Sequence, residues 1–173
     1  MDSRYPIGRF EMPLNVSPVL RKAAIERIAE TPAKFRAAVQ GLTEAQLDTP
    51  YRDGGWTVRQ VVHHLPDSHL NAYVRLKLAL TESTPTIKPY AEDRWAQLAD
   101  SRSTPIEVSL SLLDLLHTRW VLLLRSLAPE DFSRKLVHPE HGERDVDWLV
   151  FTYAWHGPHH TAHITELRRS KGW

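Results

Sequence analysis

Apolar residues recur every three or four positions in four long segments of the chain. This spacing places them on one face of a helix, and it predicts helices over residues 18–39, 57–80, 104–127 and 147–170. Each such helix must bury its apolar stripe, and four of them do so most readily against one another. The pattern therefore predicts an all-α fold, a four-helix bundle with short accessory helices.

The segments between the long helices favour only short elements. The letters TEAQ at 43–46 have the form of a capping box and predict a short helix. We expect one helical turn within 92–99, another at 129–132, and a loop over 134–146. No segment shows the alternation that is typical of a half-buried strand. Since the chain has neither repeats nor a flexible linker, we expect one domain spanning residues 1–173.

Three prolines fall inside the predicted helices rather than at their ends. Proline has no backbone N–H and clashes with the preceding turn, so it removes one helical hydrogen bond. We expect a kink or a restart at Pro32 and bends at Pro66 and Pro158.

Charge and cysteine content narrow the classes of function. The 173 residues include 22 Lys and Arg against 21 Asp and Glu, so the net charge of +1 does not favour nucleic acid or an anionic membrane as a partner. The chain has no cysteine, which excludes disulfides and thiolate ligands, and a metal must be bound through nitrogen or oxygen. The first residues lack the apolar run of a signal peptide. We expect a cytoplasmic protein.

Seven of the ten histidines fall in two short segments, one in the second predicted helix and one in the fourth. In the fourth, His156, His160 and His163 continue the apolar stripe, and His159 lies about 60° to its side. The pair His156 and His160 has a spacing of four residues, so both imidazoles can reach one ion. The pair His159 and His163 has the same spacing. Neutral imidazole binds zinc, nickel, copper and iron. This clustering favours a metal site, with a proton relay or a structural cluster as the alternatives.

A further ligand must come from another helix, and periodicity alone does not select it. His64 lies on the polar face of the second helix, which faces either solvent or a cavity, whereas His69 lies on the apolar stripe. Spacing leaves His63, His64 and His69 close together as candidates. Gly157 stands where a zinc peptidase helix carries Glu, so the sequence does not support a peptidase.

Four stretches of the chain resemble the DinB/YfiT family of metal-binding four-helix proteins, and most closely its YfiT branch. They are YPIG at 5–8, QLDTPYRDGGWTVRQVVHHL at 46–65, WH at 155–156 and AHITEL at 162–167. The resemblance covers nearly the whole chain.

The resemblance implies which histidines bind the metal. The family has one His shortly after a Trp and just before a Leu, which corresponds to His64. Its other two ligands form HxxxH followed by a polar residue and Ile, which matches His156 and His160. The pair His159 and His163 lacks those following residues, and His163 would lie beside the ligands.

The resemblance also implies an activity, a metal-dependent hydrolase. One divalent transition metal ion per subunit, zinc or nickel, would keep an open coordination position for a small-molecule substrate. Related members resemble S-transferases that activate a low-molecular-weight thiol, and a non-enzymatic metal-binding protein is the third alternative. The resemblance further implies a homodimer.

The sequence does not identify a general base. Asp67 is one helical turn from His64 and is the first candidate, although a solvated carboxylate on the helix surface explains it equally well. Glu166 and His117 are further candidates.

Overall fold

The computed structural model describes residues 2–173, in which four long helices carry most of the chain. These helices are α1 (Pro18–Val39), α3 (Val58–Thr81), α6 (Ile106–Ser126) and α7 (Val146–Lys171). The short elements are α2 (Glu44–Leu47), α4 (Glu92–Trp95), α5 (Ala99–Ser103), a 3-10 helix (Pro129–Ser133), and strands β1 (Lys135–His138) and β2 (Gly142–Asp145). The predicted all-α four-helix bundle is confirmed, and each long helix begins and ends within two residues of its predicted bounds. Over these residues no helix is both long and apolar enough to pass through a bilayer.

The two helices that carry the histidine segments begin at side-chain caps. Thr57 Oγ1 accepts a hydrogen bond from the Gln60 N–H at 3.2 Å, and Gln60 Oε1 accepts one from the Thr57 N–H at 2.9 Å. Asp145 Oδ1 accepts from the Trp148 N–H at 2.9 Å. These bonds satisfy amide groups that have no partner within a helix, so α3 and α7 start at defined residues.

The histidines form a polar layer between two apolar parts of the core. Helix α7 packs against α1 and α3, and α6 packs against α1 and α3 as well. One buried cluster contains Tyr153 of α7 and Leu76 of α3, and the other contains Ile164 and Leu65 of the same two helices. The residues between these positions on α7 include the whole second histidine segment. Apolar burial on both sides therefore holds the polar layer in place.

All three prolines lie within unbroken helices. Helix α1 continues through Pro32, so the restart allowed for at this residue is wrong. Helices α3 and α7 likewise continue through Pro66 and Pro158. Pro32 and Pro66 are buried, and packing of these helix faces offsets the lost backbone hydrogen bonds.

The loop predicted over 134–146 is wrong, because β1 and β2 form an antiparallel hairpin there. Lys135 pairs with Asp145, and His138 pairs with Gly142. The strands have four residues each, the letters KLVH of β1 do not alternate between apolar and polar, and β2 has no apolar residue, so the sequence gives no strand signal here. Backbone hydrogen bonds from the segment preceding α4 also support β1, since the Ile87 N–H donates to the carbonyl of Val137. The helical turn expected within 92–99 is observed as α4, whereas α5 was not predicted.

Candidate metal centre

A cavity of about 920 Å³ opens between α3 and α7 and is lined by His64 of the first histidine segment and by all four histidines of the second. A cavity of this size accommodates a small molecule. Its wall includes five histidines from these helices, three aromatic residues beside them, and two histidines of the hairpin: His64, His156, His159, His160, His163, Tyr5, Tyr51, Trp56, His138 and His141.

Three of these histidines converge from the two helices. His64, His156 and His160 each offer one ring nitrogen, and these three atoms lie within 4.8 Å of one another. The ring centroids are 4.8 Å apart for His64 and His160, and 4.5 Å apart for His156 and His160. His64 and His160 are 7% and 8% exposed. Nitrogen ligands of a tetrahedral ion are about 3.3 Å apart, so small side-chain rotations would bring these atoms onto one ion.

Two other groups of residues meet the same distance criterion. His159, His160 and His163 do so within α7 alone, so proximity alone does not choose between the two histidine pairs of that helix. The third group, His138, Glu140 and His141, belongs to the hairpin.

A buried chain of hydrogen bonds determines which nitrogen of His156 is free. The carbonyl of Ile28 can only accept, so His117 Nδ1 donates to it, at 2.7 Å. A neutral imidazole has one N–H, so His117 Nε2 accepts from His69 Nδ1, at 2.7 Å. By the same argument His69 Nε2 accepts from His156 Nδ1, at 3.1 Å. This network assigns the lone pair of His156 to Nε2, which can bind an ion.

Pro32 explains why the Ile28 carbonyl is available to start this chain. In a regular helix, the N–H of residue 32 would donate to that carbonyl. Proline has no N–H, so the carbonyl would otherwise be buried without its helical partner. His117 supplies the missing donor.

A second, shorter chain acts on His160. The carbonyl of Arg4 accepts from His163 Nε2 at 3.2 Å, which leaves His163 Nδ1 as an acceptor. His160 Nδ1 lies 3.3 Å from that nitrogen and therefore donates to it. The lone pair of His160 is again assigned to Nε2. Both nitrogens of His163 are engaged in this chain.

Burial keeps these imidazoles neutral. It lowers the pKa of His64 to about 3, with smaller effects from His159 and His163. Burial also lowers the pKa of His117 to about 4 and that of His160 well below its usual range. Neutral nitrogen donors without a carboxylate among them suit a divalent transition metal, whereas calcium and magnesium prefer oxygen. The residues present therefore fit such an ion.

The other sequence candidates lie elsewhere. His63 contacts Ser109 Oγ at 2.7 Å and the Thr104 carbonyl at 3.1 Å, and it does not line the cavity. Asp67 and Glu166 are also outside its lining. Burial raises the pKa of Asp67 to about 6.

Several polar residues that line the cavity have no role predicted from the sequence. They include Ser68 and Arg75 of α3 and Thr152 of α7. Arg75 follows His64 by eleven residues, which is about three helical turns, so both side chains project from nearly the same face. The sequence shows that His64 and Arg75 share a face of α3. It does not show that this face lines a cavity.

The chain is similar over nearly its full length to proteins of Bacillus species. It is 53% identical over 172 residues to a protein of Bacillus cereus strain B4264, and 52% identical over 172 residues to one of Bacillus mycoides strain KBAB4, with 99% of each chain covered. Both relatives carry names that provisionally describe a metal-dependent hydrolase.

Solved structures show the same architecture. YfiT from Bacillus subtilis matches with a TM-score of 0.97 and 48% identity, covering 100% of this chain and 99% of its own. Its published description is of a four-helix bundle and, provisionally, a metal-dependent hydrolase. A second four-helix bundle protein, 20% identical, shares the fold with a TM-score of 0.57. The family profile of the DinB superfamily matches residues 27–164. The chain therefore belongs to the DinB superfamily.

Proposed function

We propose that this chain binds one divalent transition metal ion per subunit, zinc or nickel, through His64, His156 and His160, and uses it on a small-molecule substrate. The hydrogen-bond chains carry the proposal. They assign the lone pairs of His156 and His160 to Nε2, so each ring has a free nitrogen for an ion and a second nitrogen held by a hydrogen bond.

The same two hydrogen-bond chains argue against His159 and His163 as the metal-binding pair of α7. His163 uses one nitrogen toward the Arg4 carbonyl and the other toward His160, so binding an ion would require breaking one of these bonds. His159 has a buried Nδ1 without a hydrogen-bond partner among residues 2–173. It belongs to neither hydrogen-bond chain, so no such chain orients its ring. We therefore assign His163 the role of orienting His160.

Metal-dependent hydrolysis is the activity we propose first. The names of the Bacillus relatives support it, and a three-nitrogen site leaves a position open for substrate. When bound, the ion would act as a Lewis acid toward a substrate oxygen. Polar residues of the cavity wall, among them Ser68 and Thr152, would orient that substrate.

Transfer of a low-molecular-weight thiol is the second candidate, and the carboxylates of the cavity favour it. Those lining the cavity, Glu92, Asp93 and Glu140, are all exposed. A buried carboxylate that could serve as a general base is missing from the described lining of the cavity, whereas a thiol with a pKa of about 8.5 loses its proton more readily than water. A metal-binding protein without an enzymatic activity is the third candidate.

Metal content tests the ligand set. The full chain is stripped of metal, loaded with zinc and measured by elemental analysis. We expect one zinc per chain in the wild type, loss of zinc in His156→Ala and His160→Ala, and retention in the matched control His159→Ala. Zinc lost from His159→Ala but kept by His156→Ala would contradict the assignment.

Turnover then separates the three functions. The zinc-loaded chain is assayed with a panel of esters and amides in water, and with small thiols paired with electrophiles. Hydrolysis that His156→Ala abolishes supports the first candidate, and thiol-dependent turnover that it abolishes supports the second. Tight zinc binding with no turnover on either panel supports the third.

We also propose that the chain forms a homodimer in the cytoplasm. Helix α6 carries an exposed apolar stripe, Val108, Leu112, Leu115 and Leu122, whose members are 44–69% exposed. Their spacing puts them on one face, and such a patch commonly marks an interface. Sedimentation should show twice the chain mass of 19.9 kDa at micromolar concentration, and Leu115→Glu should give the monomer. A wild-type chain that sediments only as a monomer would refute the dimer.

A further inference from the structure

Arg75 is a buried cation in the wall of the same cavity. Its side chain belongs to a residue only 8% exposed, and within residues 2–173 no carboxylate forms a salt bridge with it. Nη2 donates to the Lys88 carbonyl at 3.0 Å, while the buried Nε has no hydrogen-bond partner. Desolvating a charge without pairing it is costly, so an unpaired guanidinium in a cavity wall calls for an explanation.

Further polar groups surround this guanidinium. Burial raises the pKa of Tyr153, and both Ser68 and Arg75 oppose that shift, which indicates that all three lie close together. Ser68 Oγ lies 3.4 Å from the Tyr153 hydroxyl. Thr152 Oγ1 is buried and, like Arg75 Nε, has no partner among the described residues. Two buried polar atoms with unmet hydrogen bonds thus belong to residues that line one cavity.

The polar groups continue the faces that carry the three histidines. On α3, Arg75 is about 16 Å along the helix axis from His64 and only about 20° around it. On α7, Thr152 lies one turn before His156, in the direction away from His160. The cavity therefore has the histidines toward one end and the arginine toward the other.

The guanidinium of Arg75 determines which kind of ligand group would bind beside it. Its planar N–H groups match two oxygens of a carboxylate or a phosphate, and hydroxyl groups beside it add further donors. We propose that Arg75, with Thr152 and Tyr153, binds an oxyanion of the substrate, whose reacting group lies at the histidines. This inference rests on the proposed function only for what it says about the reacting group, since anion binding itself needs no metal.

A purely structural role for Arg75 is the competing explanation. Its bond to the Lys88 carbonyl ties α3 to the segment that precedes α4, and this bond alone would explain why the side chain is buried. A structural role predicts that replacing Arg75 lowers stability but changes no affinity for an anion.

Anion titration of the metal-free full chain distinguishes the two explanations. Removing the metal prevents the probes, inorganic phosphate and acetate, from binding to the ion instead. Affinity is measured by calorimetry, and the NMR signal of the Arg75 Nε–H reports contact directly. We expect that signal to shift with at least one probe. Arg75→Gln should weaken binding by at least about tenfold, and Arg75→Lys should weaken it less, because lysine keeps the charge but not the paired donors.

Arg144→Gln is the matched control. Arg144 lines the same cavity, but it lies over the Trp148 ring on the hairpin side, and its Nη1 donates to the Glu143 carbonyl. The Arg144→Gln variant should bind the probe with the affinity of the wild type. A wild-type chain that binds neither probe, or an Arg144→Gln variant that loses as much affinity as Arg75→Gln, would overturn the proposal. Should Arg75→Gln not fold, equal affinity in Arg75→Lys and wild type would overturn it as well.

Two readouts keep this inference separate from the metal assignment. Arg75→Gln should still bind one zinc, and metal-free His156→Ala should still bind the anion. If the wild-type chain binds the anion through Arg75 but takes up no zinc when zinc is supplied, the metal site alone is refuted. A response to phosphate only, or to acetate only, supports the anion site and names the class of substrate.

Discussion

His117 illustrates how a single residue outside the cavity can act on the metal site. It accepts from His69, and the chain continues to His156, so His117 determines which nitrogen of His156 carries a proton. Removing it leaves His69 Nδ1–H without a partner and allows His156 to protonate either nitrogen. Losses of this kind commonly cost about 10- to 100-fold in metal affinity.

We therefore predict that His117→Ala weakens zinc binding by about 10-fold or more, as measured by competition with a chelator. In wild-type chain without metal, ¹⁵N shifts of His156 should report a protonated Nδ1, and in His117→Ala they should report a mixture. His63→Ala is the control, since His63 is buried like His117 but lies on α3 and belongs to neither hydrogen-bond chain. Unchanged affinity together with unchanged ¹⁵N shifts in His117→Ala would refute the role of His117.

At the scale of elements, the contact between α1 and α7 positions two of the three histidines. The helices approach closely at Gly157, where a Cβ atom would lie 2.5 Å from both Thr31 Cγ2 and Thr31 Oγ1. No real Cβ tolerates such a distance, so a side chain there must push α7 away from α1. His156 and His160 stand on α7 directly beside this contact.

We predict that Gly157→Ala lowers the free energy of unfolding by about 1–3 kcal/mol, even though alanine favours helix more than glycine by about 1 kcal/mol. Urea denaturation measures the change. Adding Thr31→Ala removes both 2.5 Å contacts and leaves only the Thr31 Cβ at 3.1 Å, so the double variant should regain part of the loss. A double variant no more stable than Gly157→Ala would show that this contact is not the cause.

At the scale of the whole molecule, the buried histidines make stability depend on pH. Burial lowers the pKa of His64 to about 3 and of His117, His159 and His163 to about 4. In the unfolded chain each has a pKa of about 6.5, so below that pH the unfolded state binds more protons. The free energy of unfolding is therefore highest above pH 6.5 and falls as the pH drops toward 4.

We predict that the metal-free chain loses about 1.4 kcal/mol per pH unit for each such histidine in this range. The summed loss from several histidines would equal a typical free energy of unfolding of about 5–15 kcal/mol. The metal-free chain should therefore unfold before the pH falls to 4. Urea denaturation at successive pH values measures how steeply the free energy of unfolding changes with pH. His64→Asn should reduce that slope by about 1.4 kcal/mol per pH unit, the contribution of one proton. A free energy of unfolding that stays constant between pH 7 and pH 5 would contradict this account.

The sequence alone determined the four long helices, because the signals for a helix are local. Apolar spacing and the cap at Thr57 act within a few residues, so the bounds of the long helices were predicted closely. The resemblance to a known family selected His64, His156 and His160, where spacing alone left His63 and His69 equally placed.

Only the tertiary structure decided how these side chains are used. The bond from the Ile87 N–H to β1, the link from the Ile28 carbonyl to His117, and the unpaired state of Arg75 depend on segments far apart along the chain. Whether a polar group is buried, and whether a partner reaches it, is a property of packing between helices. Helical periodicity gives the direction of a side chain around its own axis, but it does not say which other segment lies there.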